Sequence, residues 1–207
     1  MKKNIVLIGD IVSSKKIPNR QDIQNKIKRI LMELNRENRH LLSPYTVTLG
    51  DEFQGVLSRA DHLFCDIISI LTYVYPIKIR FSIGIGDIQT PINPNQAIGM
   101  DGPAFHNARS GIIKLKETPW LFTIVNPHDA NQKMVEQTLF LISHMFLKWK
   151  QNRFQILQRL CRDSTVKQMA QNMNITDKAI YKNIDDGGLK IIMELFSEIE
   201  GIINRSL

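Results

Sequence analysis

Two apolar periodicities alternate through the first 147 residues, and that alternation restricts the available folds more than any other feature of the chain. Residues 4–9 form a short β-branched run, read as a buried strand that ends at Asp10. Residues 15–19 read as a loop closed by Pro18. Residues 20–38 place Ile23, Ile27, Ile30, Leu31 and Leu34 at helical spacing. Residues 45–49 and 52–57 read as two strands joined by a tight turn at Gly50-Asp51. A helix is expected over 59–75, stopped by Pro76. Residues 77–85 alternate Ile77, Ile79, Phe81, Ile83 and Ile85, the period of a strand. Pro91 and Pro94 mark a loop over 90–101. A helix over 103–116 has Pro103 in its first turn, where proline is tolerated. A strand over 120–125 and a long helix over 128–150 complete the series. The order β-α-β-β-α-β-α-β-α predicts an α+β fold of ferredoxin-like, sheet-and-helix topology for residues 1–147. Only helices are expected in 148–207, so the domain boundary is placed at 147/148, where charge and Gln/Asn/Lys content rise.

With 207 residues, 43% of them hydrophobic, the chain has enough apolar mass for a sizeable core, which excludes general disorder. Two cysteines, Cys65 and Cys161, exclude a disulfide scaffold and a four-thiolate zinc site. His62, His106 and His144 show no ligand spacing with them. The N-terminus has two lysines before an apolar run, as a signal peptide does, but Asp10 interrupts it early. The apolar stretch 139–147 is about half of a membrane span. No membrane association is expected, and two unpaired thiols fit a cytoplasmic location.

The formal charge of +7 is unevenly spread. Residues 148–182 hold 8 basic and 2 acidic side chains, a concentration suited to a phosphate backbone. Within that window, Ala170 is small where two helices cross, Asn174 suits a left-handed turn, Ile175 plugs a core and Thr176 is an N-cap. This resembles a helix-turn-helix. Lys167, Lys178, Tyr181 and Lys182 are the expected DNA contacts. The competing reading is a three-helix packing unit used for dimerisation. A final amphipathic helix is expected over 189–203.

The acidic residues give the chemistry. Asp10 ends the first strand, and Asp51 and Glu52 lie at the tip of the central hairpin. In a ferredoxin-like sheet the first strand lies beside the hairpin, so Asp10 and Asp51 are expected to meet at one sheet edge. Close carboxylates repel unless a cation intervenes, and Mg²⁺ or Mn²⁺ held together with phosphates is the usual reason for such a pair. On residue types alone, turn and capping roles for both aspartates are an equal reading.

Four strings, NIVLIGDIVSSK (4–15), TVTLGDEFQGVL (46–57), RFSIGIGDI (80–88) and GMDGPAFHNAR (99–109), together resemble the SatD family, over nearly the whole chain. More distantly, the first 125 residues resemble the catalytic domain shared by class III nucleotidyl cyclases and GGDEF-type diguanylate cyclases. That resemblance implies metal binding by Asp10, Asp51 and the backbone carbonyl of Ile11. It implies a nucleotide near Asp10, Glu52 and Arg109, and a homodimer. The chain departs from the cyclases in three places: Val47 replaces a lysine, Asn107 and Arg109 are two apart rather than four, and Leu49 replaces the first hairpin glycine. The functional expectation is a DNA-binding regulatory protein with a nucleotide- and Mg²⁺-binding sensor domain. The alternative is a nucleotidyl cyclase or nucleotidyltransferase using two-metal chemistry at Asp10 and Asp51.

Overall fold

In the computed structural model, β1 (Asn4–Ile11) is buried at every residue because helices cover both of its faces. The structure describes residues 3–207 apart from Ile17, Leu49 and His128, and apart from the side chain of Lys16. The signal-like Met1-Lys2 start, the end of the strand expected over 45–49 and the helix start expected at 128 lie outside the described residues.

Among the described residues β1 is followed by α1 (Arg20–Glu37), β2 (Leu41–Val47), β3 (Glu52–Leu57), α2 (Leu63–Val74), β4 (Ile79–Gly86), α3 (Pro103–Lys116), β5 (Phe122–Val125) and α4 (Gln132–Phe146). The strands form one sheet in the order β2-β3-β1-β4-β5, with β4 and β5 parallel and the other neighbours antiparallel. The fold is mixed α+β. Period-2 alternation splits β1 between two cores. Ile5, Leu7 and Ile11 join the large cluster that contains α1 and α2 residues. Val6 and Ile8 pack with Ala104, Phe105, Ala108 and Ile112 of α3. That helix lies directly on β4: a Cβ at Gly84 would stand 2.2 Å from the Ala108 backbone nitrogen.

β1 is the central strand, so Asp10 lies at a strand end in mid-sheet rather than at a sheet edge. α2 begins at Leu63, not near residue 59, because His62 takes a left-handed conformation (φ 67°). α4 is shorter than the 128–150 expectation: extended Lys150 separates it from the next helix.

The C-terminal part consists of α5 (Gln151–Leu160), α6 (Val166–Met173), α7 (Asp177–Gly187) and α8 (Leu189–Arg205). Thr165 caps α6 in a reciprocal capping box, Asn174 turns the chain in the left-handed region, and Thr176 caps α7. These helices add to the large core. The Phe64 and Phe196 rings stack 4.2 Å apart, and Phe154 meets Phe146 edge-on at 5.2 Å. The expected boundary at 147/148 falls in the turn between α4 and α5, and the buried cluster runs unbroken past it. No helix among the described residues is long and apolar enough to cross a membrane.

Candidate functional site

Strand register builds the site. Asp10 lies opposite Glu52 of β3 on one side and Arg80 of β4 on the other. Opposed residues on antiparallel strands share a face, so the three side chains form a row across the sheet. That face is the one covered by α3, whose last residue, Lys116, reaches over the row. The Lys116 ammonium lies 3.0 Å from one Asp10 oxygen and 3.5 Å from a Glu52 oxygen. Arg80 Nη1 lies 3.5 Å from the other Asp10 oxygen, while its Nε donates to the Leu115 carbonyl at 3.1 Å. Arg109, about two turns earlier on α3, donates to Glu52 at 2.5 Å.

Asp51 is held from the other direction. The turn that carries it needs Gly50 at φ 69°, a conformation cheap only for glycine. Gln24 of α1 donates to the Gly50 carbonyl at 2.7 Å, and Ile11 N–H donates to the Asp51 carbonyl at 3.1 Å. Arg20, the first residue of α1, pairs with the Asp51 carboxylate at 2.6 Å, and the Ser14 hydroxyl donates to it.

The two aspartates therefore sit in different electrostatic settings. Burial pushes the Asp10 carboxyl above its ordinary range, and Lys116 opposes that shift only in part. Asp51 is also partly desolvated, but hydrogen bonds from Ser14 and Arg20 outweigh this and hold its carboxyl below the ordinary range. A cavity of about 470 Å³ opens onto both. Its walls carry Asp10, Asp51 and Glu52 beside Lys15, Arg80 and Lys116, with Ile11, Ser13 and Ser14 between them. That volume lies within the range of small-molecule sites, and the mixed charge suits a polyanion bound with a cation.

The carboxylates supply the hard oxygen donors that Mg²⁺ takes, and Ile11 stands in the same wall. As they stand they face protein cations. Among the described residues no three His, Cys, Asp or Glu side chains gather closely enough to hold a metal. The donor chemistry nonetheless fits the ion, because Lys116, half-exposed on a flexible stem, is an exchangeable partner.

The structure thus brings together Asp10, Ile11, Asp51 and Glu52, and joins Arg109 to them through Glu52. Lys167, on α6, and Lys178, Tyr181 and Lys182, on α7, are exposed on a separate surface and do not line the cavity. Sequence reasoning missed Ser14, Lys15, Arg20, Arg80 and Lys116. Arg80 left one trace, a charge that with Lys78 interrupts the apolar alternation of the strand.

No curated protein matches the chain. Among solved structures it is similar to a bacterial light-regulated adenylyl cyclase, at 15% identity and a TM-score of 0.41 over 59% of this chain and 74% of the other. It is also similar to the catalytic core of a rhodopsin-guanylyl cyclase with converted specificity in complex with ATPαS. There the identity is 17% and the TM-score 0.37, over 56% of this chain and 72% of the other. The model of the SatD family matches residues 4–198, close to the full length. The chain belongs to the SatD family.

Proposed function

We propose that the cavity at the end of β1 binds a nucleoside triphosphate together with Mg²⁺, and that it serves nucleotidyl transfer of the cyclase or nucleotidyltransferase class. One observation carries this reading: three carboxylates and three cations face a single cavity of about 470 Å³. A site for a neutral ligand has no use for that charge, and a site for a bare anion has no use for Asp10 and Asp51. Asp10, Asp51 and the Ile11 carbonyl are the groups that would hold Mg²⁺. A bound Mg²⁺ supplies polarisation of phosphoryl oxygens. Arg80, tied to the Leu115 carbonyl, is a fixed positive charge for the phosphates, and Lys15 and Lys116 are mobile ones. Arg109 orients Glu52. In the transfer itself an oxygen nucleophile bonds to the α-phosphorus while the bond to the bridging oxygen of the β-phosphate breaks, and pyrophosphate leaves.

Calorimetric titration with ATP and GTP, with Mg²⁺ and with EDTA, tests the reading. Binding that needs Mg²⁺ and is weakened at least tenfold in Asp10→Asn is expected, with released pyrophosphate as the mark of turnover. Equal affinity in the variant removes Asp10 from the site.

A second reading rests on the other charged surface. Lys167, Lys178, Tyr181 and Lys182 stand exposed on two helices joined at Asn174, and Tyr181 is 54% exposed. Such a pair supports DNA contact by the segment from 148 onward as a helix-turn-helix domain. The protein would then be a cytoplasmic homodimeric regulator, in which the nucleotide-binding domain over 1–147 biases the arrangement of the two copies. Anisotropy of a labelled duplex at stepped salt tests it. Affinity that falls steeply with salt, and more than tenfold in Lys178→Glu/Lys182→Glu, is expected. Salt-independent or absent binding rejects it.

A further inference from the structure

We propose that Lys116 is a built-in counter-ion that holds the Asp10 carboxylate, one of the metal-binding groups, against Glu52, so that the metal binds tightly only together with a nucleotide. The proposal rests on the nucleotide–Mg²⁺ reading and adds its regulation.

The geometry separates two kinds of cation. Asp10 and Glu52 are cross-strand partners, and two carboxylates at that range require a positive charge between them. Among the described residues only Lys116 ion-pairs with both, at 3.0 and 3.5 Å. Arg80 serves Asp10 alone and Arg109 serves Glu52 alone. Arg80 has a side chain only 15% exposed, and the Leu115 carbonyl anchors it, so it stays in place. Lys116 has a side chain 46% exposed at the very end of α3 and, among the described residues, ion-pairs with no group besides those two carboxylates. A four-carbon stem at a helix terminus lets the ammonium swing away without moving the backbone.

Exchange of Lys116 for a metal then follows simple electrostatics. Free Mg²⁺ must displace the ammonium into water, and that competition lowers its affinity. A nucleotide changes the balance, because its phosphates offer the displaced ammonium new anionic partners within the same cavity. Metal and nucleotide therefore bind with positive coupling, and the coupling is reciprocal. Without Lys116 the carboxylates face each other with less neutralisation. The metal-free protein then loses stability and regains it on adding Mg²⁺ alone.

The test is calorimetric titration of Mg²⁺ and Mn²⁺, and melting with and without Mg²⁺. It uses the full chain as wild type, Lys116→Gln and Lys116→Met, the second retaining the packing of the stem. In the absence of nucleotide both variants are expected to bind the cation at least tenfold more tightly than wild type, with a larger Mg²⁺-induced rise in Tm. The gain in Mg²⁺ affinity on adding ATP or GTP is expected to be several-fold smaller in the variants. If wild type and variants bind free cation equally, while nucleotide still binds with Mg²⁺, Lys116 is no gatekeeper and the nucleotide reading stands. If none of the three proteins binds the cation, with nucleotide or without, both proposals fall.

Discussion

Arg80 and Lys116 decide how much negative charge the end of β1 can tolerate. Asp10 is 6% exposed, and a buried carboxylate stripped of one of its cations is costly. Arg80→Met is therefore expected to lose about 2–3 kcal/mol at pH 7, measured by urea unfolding. The loss should shrink as the pH falls through the range of the Asp10 carboxyl, because the neutral acid needs no partner. An equal loss at pH 4 and pH 7 would assign the effect to packing. At this scale the sequence discloses only half of the site. Asp10, Asp51 and Glu52 are legible because Asp10 ends an apolar strand after Gly9, Asp51 follows Gly50 in the hairpin turn and Glu52 begins the returning strand. Arg80 is not, because its meaning depends on pairing register, which places it opposite Asp10 from 70 residues away. Lys116 is still less visible, since one lysine at the end of a helix resembles any other until the helix is laid on the sheet.

The start of α2 shows how elements complete one another. The Phe64 N–H donates to Glu200 of α8 at 3.0 Å, and the Ala60 N–H donates to Asn204 of the same helix at 2.8 Å. A side chain from the last helix thus satisfies a first-turn donor that a helix start leaves free, and a second holds the loop residue Ala60 that leads into it. Burial raises Glu200 to about 7 and, on α2 itself, Asp66 to about 6. Asp66 accepts hydrogen bonds from Asn38 and Tyr45. In both cases the folded state holds its proton more tightly than the unfolded chain does. Their contribution is present in full below about pH 4 and is lost as the pH rises toward about 7. For each group the change is on the order of 3 kcal/mol. Glu200→Gln, whose amide oxygen can still accept from Phe64, should flatten the pH dependence of urea stability between pH 5 and pH 8. A slope unchanged from wild type would contradict this. On α7, Thr176→Ala removes the acceptor for the Ala179 N–H and should cost about 1 kcal/mol. That cap is readable from the sequence. The α2 terminus is not, since its partners lie 136 and 144 residues away.

Over the whole molecule, the alternating periodicities carry enough information to order the strands and α-helices described in the first 147 residues, though not the short 3-10 helix Ser14–Lys16 where a loop is expected. They do not disclose how far the C-terminal helices share the core, because amphipathic stripes state that a face is buried without stating against what. Phe196 stacks on Phe64, Thr72 donates to the Phe154 carbonyl, and Asn126 donates to Ser206. A fragment ending at residue 147 exposes that seam, and is expected to lose cooperative thermal unfolding. A sharp transition in the fragment would show that the first 147 residues fold alone.

The central claim is that Asp10 and Asp51 hold a nucleotide–metal complex in the cavity at the end of β1. Melting temperature in the presence of ATP or GTP, with Mg²⁺ and with EDTA, for wild type and Asp10→Asn, tests it most directly. A nucleotide at a hundred times its Kd adds about 2.7 kcal/mol of stability, a clear shift in Tm. A rise that requires Mg²⁺ in wild type and is absent in the variant is the predicted result. No rise with either nucleotide, or the same rise in both proteins, would contradict the account.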